Sequence, residues 1–192
     1  MMQSVEIVEI FDDIIRQIGG SIMISAKDNK GRVTEIPCPK INYTFGNAQY
    51  VKDELDVLSR SAHGTAMKYP LIALFCPIKE NRNDPDYYST ARVNILIACP
   101  SRKDWTNEER LQTSFKCILR PIYRKLLELL TEDSRLDFGY ETSIKHEYYE
   151  NYSYGRYGAY TDSGDEVTDP IDAINIRNLE IKINKPLNCK RR

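Results

Sequence analysis

Hydrophobic residues in the first third of the chain follow two spacings, one typical of helices and one typical of strands. Apolar residues from Val5 to Ile18 recur every three or four positions and Gly19-Gly20 follows, so an amphipathic helix is predicted over 4–18. Short apolar runs flank the turn residues 28–31, which predicts a β-hairpin. A short strand at 41–45 and a helix over about 47–60 complete this part of the chain.

The clearest buried strands lie in the middle of the sequence, at 69–77 and 91–100. Each ends in a proline, Pro77 or Pro100, which cannot donate to a central ladder, and the polar residues between them predict a loop. In the second segment, apolar residues occupy both alternating sets of positions. This pattern predicts a strand that is covered on both faces and lies near the middle of a sheet.

The longest helical unit is predicted to begin after Thr106. Thr106 and Glu109 have the spacing of a capping box, in which each side chain binds a free backbone N–H of the first turn. Apolar residues at helical spacing continue to Leu130. Pro121 lacks an N–H and clashes with the preceding turn, which predicts a kink or short break at Arg120-Pro121.

The last third returns to strand, as a long hairpin over 140–184 followed by a basic tail, 185–192. In the second half of this hairpin, the apolar positions change from even numbers up to Ile176 to odd numbers from Leu179 onward. Because side chains alternate between the faces of a strand, an extra residue is needed to keep both sets on one face. A β-bulge is therefore predicted near Arg177-Asn178.

Composition limits the classes of protein that this chain can belong to. Its 192 residues suit a single domain, 1–192, with a sizeable core. The 27 basic and 28 acidic residues give a formal net charge of −1, which disfavours a nucleic-acid binder with a wholly basic surface. The N-terminal segment lacks the basic start of a signal peptide, and no apolar run has the roughly 18 residues of a membrane helix. We therefore expect synthesis in the cytosol and no membrane partner.

The five cysteines are odd in number, widely spaced and mostly set among apolar residues. This distribution predicts reduced, buried thiols rather than disulfides.

Residues suited to catalysis or metal binding are few. His63 and His146 have no second ligand at a coordinating spacing. Glu180-Ile181-Lys182, with Asp169 or Asp172 upstream, matches the acid-then-E-x-K pattern of metal-dependent nucleases, although this pattern is also common on the solvent face of a strand. The acidic segment 162–172 lacks the ligand order of an EF-hand, so a solvated loop is preferred to a calcium site. We predict no catalytic residue, metal or cofactor.

Residues 146–165, HEYYENYSYGRYGAYTDSGD, place six tyrosines within thirteen positions. Three interpretations are open: stacking of Tyr and Arg on RNA bases, a hairpin whose rings cover the sheet, and a protein–protein contact. Acidic residues beside a single arginine disfavour RNA. A protein contact is preferred, because tyrosine combines a large contact area with a hydrogen-bonding tip and only two rotatable angles. The predicted contact residues are Tyr148, Tyr149, Tyr152, Tyr154, Arg156, Tyr157 and Tyr160.

The order of elements resembles that of small neck and tail ring proteins of tailed bacteriophages, above all tail terminators and head–tail connectors. The resemblance is carried by the leading helix, the hairpin, the YPLI strand (69–72), the second hydrophobic strand, the helix of SRKDWTNEER leading to LRPIYRKLL, and the final strands. The stretches DFGYETSIKHEYYENYSYGRYG and DPIDAINIRNLEIKIN also resemble structural proteins of phages of gut Bacteroidetes-type hosts.

This resemblance implies an α+β subunit with helices packed on one face of a mainly antiparallel sheet, and a tyrosine-rich hairpin as an extended arm. It implies a virion ring, assembled in the host cytoplasm, through which DNA passes without sequence-specific binding, and no enzyme activity. The partners would be further copies and neck or tail proteins such as the portal, adaptor or tail tube.

Within such a ring, the tyrosines would grip a neighbour. A set of acids, Asp162, Asp165, Glu166 and Asp169, would face the DNA path, where like charge repels DNA. The alternatives are a small protein- or RNA-binding module that uses the tyrosines without a ring and, third, a metal-dependent nuclease with Glu180 and Lys182.

Overall fold

A six-stranded sheet forms the centre of the computed structural model, which describes residues 6–27, 33–59, 63, 67–84, 88–139, 144–156 and 170–184. Its strands are β3 (Asn42–Gly46), β4 (Leu71–Asp84), β5 (Tyr88–Pro100), β6 (Leu136–Asp137), β7 (Glu147–Arg156) and β8 (Pro170–Asn184), and a separate antiparallel pair is formed by β1 (Met23–Lys27) and β2 (Val33–Pro37). The helices are α1 (Ile7–Ile18), α2 (Ala48–Ser59) and α3, which consists of an α segment (Asn107–Arg110), a π segment (Leu111–Leu119) and a second α segment (Arg120–Glu132).

The sheet is mostly antiparallel. Its order is β3-β4-β5-β8, with only β3 parallel to its neighbour β4. Both β6 and β7 pair with the outer side of β8, at different positions along it. Strands β3 and β7 therefore lie at opposite edges of the sheet. β7 and β8 pair antiparallel, but the extended tyrosine-rich arm predicted over 140–184 is not shown, because residues 140–143 and 157–169 lie outside the described residues, as does the tail 185–192.

Helices cover both faces of the sheet. α1 and α3 share a core with Ile95 and Ile97 of β5, whereas α2 packs on the other face with Leu96 and Ala98. The α+β class, the mainly antiparallel sheet and the central, doubly covered position of β5 are confirmed. The position of α2 differs from the expectation of helices on one face, because β4, β5 and β8 carry apolar side chains on both faces in this region. In the described part of the chain, no helix is long and apolar enough to cross a membrane.

The prediction of a loop between the two central strands is wrong for most of the residues concerned. β4 continues to Asp84 and β5 begins at Tyr88, so the two strands form a long hairpin. Pro77 does not end β4, because it lies where the register with β5 shifts between Phe75 and Lys79. A strand tolerates a proline at such an interruption of the ladder.

Helix α3 begins as predicted. The Thr106 hydroxyl accepts the Glu109 N–H, and the Glu109 carboxylate accepts the Thr106 N–H at 2.7 Å. A short break at Arg120-Pro121, one of the two outcomes predicted there, does not occur, since the chain stays helical from Asn107 to Glu132. The N–H of Arg120 binds the carbonyl of Phe115, five residues earlier, so the preceding turns are wide. Pro121 then falls in the first turn of an α segment, where proline is tolerated.

The predicted β-bulge is confirmed. The register of β5 with β8 shifts between Val93 and Ile95, so that Arg177 and Asn178 together lie opposite Asn94. Asn178 has a φ of 53°, and its N–H donates to Asn94 Oδ1 at 3.0 Å. The extra residue keeps the apolar side chains before and after the bulge in the same core.

The cysteines of the described chain are free thiols. Cys38 and Cys99 are buried, and Cys76 and Cys117 are half-buried. Burial raises the pKa of Cys38 to about 11 and that of Cys99 to about 12. The predicted burial is confirmed for Cys38 and Cys99 only, and Cys189 lies outside the described residues.

Candidate interaction surface

Strand β7 carries the first part of the tyrosine segment, and its side chains alternate between the faces of the sheet. Tyr148 and Tyr152 face α3. The Tyr152 ring lies 4.3 Å from the Phe115 ring and the Tyr148 ring 4.9 Å from the Tyr123 ring, between centroids. These contacts attach β7 to the π segment and the second α segment of α3.

Glu150 forms the polar anchor between these two rings. Nε and Nη2 of Arg120 donate to its two carboxylate oxygens at 2.7 and 3.0 Å. The hydroxyls of Tyr148 and Tyr152 also donate to it, at 2.5 and 3.4 Å. The hydrogen bonds from Arg120 lower the pKa of Glu150, whereas burial and the bond to Glu150 raise the pKa of Tyr148. An ionised carboxylate beside neutral phenols is therefore the favoured state.

His146 has a structural role immediately before β7. Its Nδ1 is 2.8 Å from the Ile144 carbonyl oxygen, which can only accept, so Nδ1 carries a proton. Its Nε2 lies 2.7 Å from the Tyr123 hydroxyl, which donates to it when the ring is neutral. Both nitrogens thus contact protein atoms, and His63, the other histidine, is exposed.

Tyr149 lies on the opposite face of β7 and is 44% exposed, compared with 39% for Tyr148. The Arg177 guanidinium lies 5.1 Å from the centroid of the Tyr149 ring, and the Tyr149 hydroxyl donates to Glu147 at 2.8 Å. The side-chain amide of Asn178 donates to the same carboxylate at 2.8 Å. Both hydrogen bonds lower the pKa of Glu147, and the bond from Tyr149 has the larger effect. The Tyr149 ring is therefore held in one orientation although it is exposed.

The outer side of β7 is an open strand edge within the described chain. β7 pairs with β8 from Glu147 to Asn151 and again at Gly155 and Arg156, and no other described strand pairs with it. An unpaired edge offers free backbone N–H and C=O groups to a strand of another chain. We call this outer side of β7, with Tyr148 and Tyr149, the β7 edge.

The predicted contact residues divide into three sets. Tyr148 and Tyr149 are exposed, whereas Tyr152 packs on the core, as expected for rings that cover the sheet. The structure describes the backbone of Tyr154 and Arg156 as part of β7, but it does not describe their side chains. Tyr157 and Tyr160 lie outside the described residues, as do the acids predicted to face the DNA path, Asp162, Asp165, Glu166 and Asp169.

A buried ion pair that the sequence did not reveal joins α3 to β8. Nη1 of Arg110 donates to Oδ1 of Asp172 at 3.0 Å, and the Ser114 hydroxyl donates to Oδ2 at 2.7 Å. Arg110 also donates to the Ser101 hydroxyl and to the Trp105 carbonyl. Asp172 interrupts an apolar strand, which is the only sequence signal for this pair. Its role is to fix the start of α3 against the sheet.

The acid-then-E-x-K pattern does not form one site in the described residues. Asp172 faces α3, whereas the bulge places Glu180 and Lys182 on the opposite face of β8. Each of these two is in an ion pair, Glu180 with Arg92 at 2.6 Å and Lys182 with Asp137 at 3.0 Å. In the part of the chain that the structure describes, no three His, Cys, Asp or Glu side chains are close enough to hold a metal. Asp169 lies outside that part.

Glu180 and Lys182 instead line a groove of about 790 Å³ at the far end of the sheet. Strands β4, β5 and β8 and the residues after β6 form its walls. The groove contains four cations, Lys79, Arg92, Lys145 and Lys182, and two carboxylates, Asp137 and Glu180. We call it the basic groove.

No protein-family model matches the chain, and a search of the curated proteins gave no match.

Proposed function

We propose that this protein is a structural subunit of a tailed-bacteriophage neck or tail ring, a tail terminator or head–tail connector, that assembles by contacts between copies and surrounds the path of the DNA. The observation that carries the proposal is the open β7 edge, because it places two exposed tyrosines beside backbone with which no other described strand pairs. The partners are further copies and the adjacent neck or tail proteins, and the proposed location is the virion.

The difference between the two edges of the sheet supports a head-to-tail arrangement. β7 forms one edge, and the short strand β3, with Phe45 47% exposed, forms the other. A contact between the β7 edge of one copy and a different surface of the next is heterologous. Heterologous contacts generate a closed ring when the rotation between copies closes.

Tyr149 is well suited to anchor such a contact. Arg177 and Glu147 already orient its ring, so little conformational freedom is lost on binding. Truncation of an interface tyrosine of this kind typically costs about 2 kcal/mol, which corresponds to a roughly 30-fold weaker association per contact.

The test is the native mass of Tyr149→Ser, measured by light scattering after size exclusion, with negative-stain images of the same fraction. Wild type is expected to form rings, and Tyr149→Ser to shift the same concentration series toward monomer. Val57→Ser is the control, because Val57 is an exposed apolar side chain on α2, away from β7. Tyr152 is unsuitable as a probe, since its loss would also remove packing on Phe115.

Two results would contradict the proposal. Rings of Tyr149→Ser at the wild-type concentration would exclude the β7 edge as the contact. A wild-type chain that stays monomeric and binds RNA or a single protein through Tyr149 would replace the ring with a binding module.

A further inference from the structure

We infer that the basic groove is the docking site for the acidic segment 157–169 of another copy of this chain. The inference rests on the proposed function, because both require contacts between copies. It adds a second contact, distinct from the β7 edge, and names its two sides.

The groove has an excess of positive charge on solvent-accessible side chains. Four cations and two carboxylates leave a net charge of +2. Lys79 and Lys145 are exposed, and the Arg92 side chain is 66% exposed. Lys182 lies over the Tyr88 ring at 4.4 Å, which holds its ammonium group at the groove. Such a surface favours an extended, acidic polypeptide.

The segment 157–169, YGAYTDSGDEVTD, has the complementary charge. It contains four acids and no lysine or arginine: the acids are Asp162, Asp165, Glu166 and Asp169. Its two ends are fixed, because Arg156 and Pro170 pair with each other at the end of the β7–β8 hairpin. The place where the segment leaves the sheet is therefore known.

A copy cannot place this segment in its own groove. Glu180 lies ten residues along β8 from Pro170, which is about 33 Å at the rise of a strand. The segment leaves and re-enters the sheet at one point, so its middle residue reaches at most about 24 Å from there. The groove and the point where the segment leaves the sheet lie at opposite ends of β8, so the inference assigns the acids in the groove to a second copy.

This geometry makes the contact heterologous, as a ring requires. It also gives the acids of 157–169 a different role from the one expected in the sequence, since acids that bind a neighbour's groove do not line a DNA path. Reversing the charge of these acids should weaken assembly if they bind a neighbour's groove, and should leave assembly unchanged if they only face the DNA path.

The first experiment measures binding of a fluorescein-labelled peptide of residues 157–169 to the full chain by anisotropy. Binding is expected to weaken with added salt and to fall at least tenfold in Lys79→Glu/Lys145→Glu. The control Lys40→Glu/Lys103→Glu changes the same charge at exposed positions outside the groove and should bind as wild type. A peptide that does not bind, or that binds both double variants equally, would overturn the inference.

The second experiment exchanges the charges. A groove variant, Lys79→Glu/Lys145→Glu, and a segment variant, Asp165→Lys/Glu166→Lys, should each assemble poorly alone, whereas their mixture, or one chain with all four changes, should recover assembly. Circular dichroism checks that each variant is folded. If wild type assembles and every variant assembles equally, the inference fails and the ring proposal stands. If wild type never assembles but the peptide binds the groove, the ring proposal fails and only the affinity of the groove for the acidic segment stands.

Discussion

Replacement of Asp172 by alanine is expected to destabilise the fold severely, because it leaves Arg110 charged and buried. The side chains of Asp172 and Arg110 are 0% and 4% exposed, so neither can exchange its partner for bulk water. Asp172→Ala removes the carboxylate that accepts from both Arg110 and Ser114. These donors belong to α3, so the loss loosens the start of that helix from β8.

Loss of one partner from a buried ion pair typically costs about 3–5 kcal/mol, since the remaining charge is uncompensated. Domains are typically stable by only about 5–15 kcal/mol, so Asp172→Ala should leave a marginal fold. Asp172→Asn keeps the volume and one acceptor oxygen, and its cost should be smaller, about 1.5–3 kcal/mol for the loss of hydrogen bonding to a charged group.

Urea titration followed by circular dichroism measures these free energies of unfolding. The matched control is Glu180→Ala, whose pair with Arg92 is shorter, at 2.6 Å, but has side chains 66% and 47% exposed. Exposed pairs contribute about 0–1 kcal/mol, so this variant should unfold close to wild type. A loss below about 1 kcal/mol for Asp172→Ala, or equal losses for the two variants, would refute the reasoning that burial rather than distance sets the cost.

Two further outcomes follow from β7 and the bulge. The pKa of Glu150 is lowered in the fold, so its ionised form adds stability above the unfolded pKa of about 4.3, and this contribution disappears as the pH falls through the lower folded pKa. The difference in urea midpoint between wild type and Glu150→Gln should therefore shrink between pH 7 and pH 3, and a constant difference would be evidence against the Arg120 assignment. Asn178→Ala should cost about 1–2 kcal/mol because of the positive φ, and Asn178→Gly less, although both lose the bond to Glu147. Thermal unfolding ranks the two, and an alanine variant as stable as the glycine variant would contradict the bulge geometry.

Much of the fold was predictable wherever a local pattern has one structural solution. The Thr106–Glu109 spacing located the start of α3, and the change of parity after Ile176 located the bulge within one or two residues. Both signals depend on neighbours in sequence. A capping box involves a single helical turn, and the parity of a strand follows from the alternation of its own side chains.

The extension of β4 and β5 was not predictable in this way. Residues 79–84 are polar and contain the turn-forming residues Asn and Asp, a composition typical of a loop. They form strand because β5 supplies hydrogen bonds across the hairpin. The candidate site shows the same limit, since the tyrosines were visible in sequence but not which rings pack on α3 and which remain exposed.

The sequence by itself determined the order of the main helices and strands, the doubly covered central strand and the unusual density of tyrosine, because these follow from periodicity and composition. The tertiary structure alone decided which charges meet. Arg110 and Asp172 are 62 residues apart, and the basic groove collects cations from separate strands and from the residues before β7. Pairing over such distances depends on sheet order and register, which local propensities do not encode, and on burial, which sets how strongly each charge needs its partner.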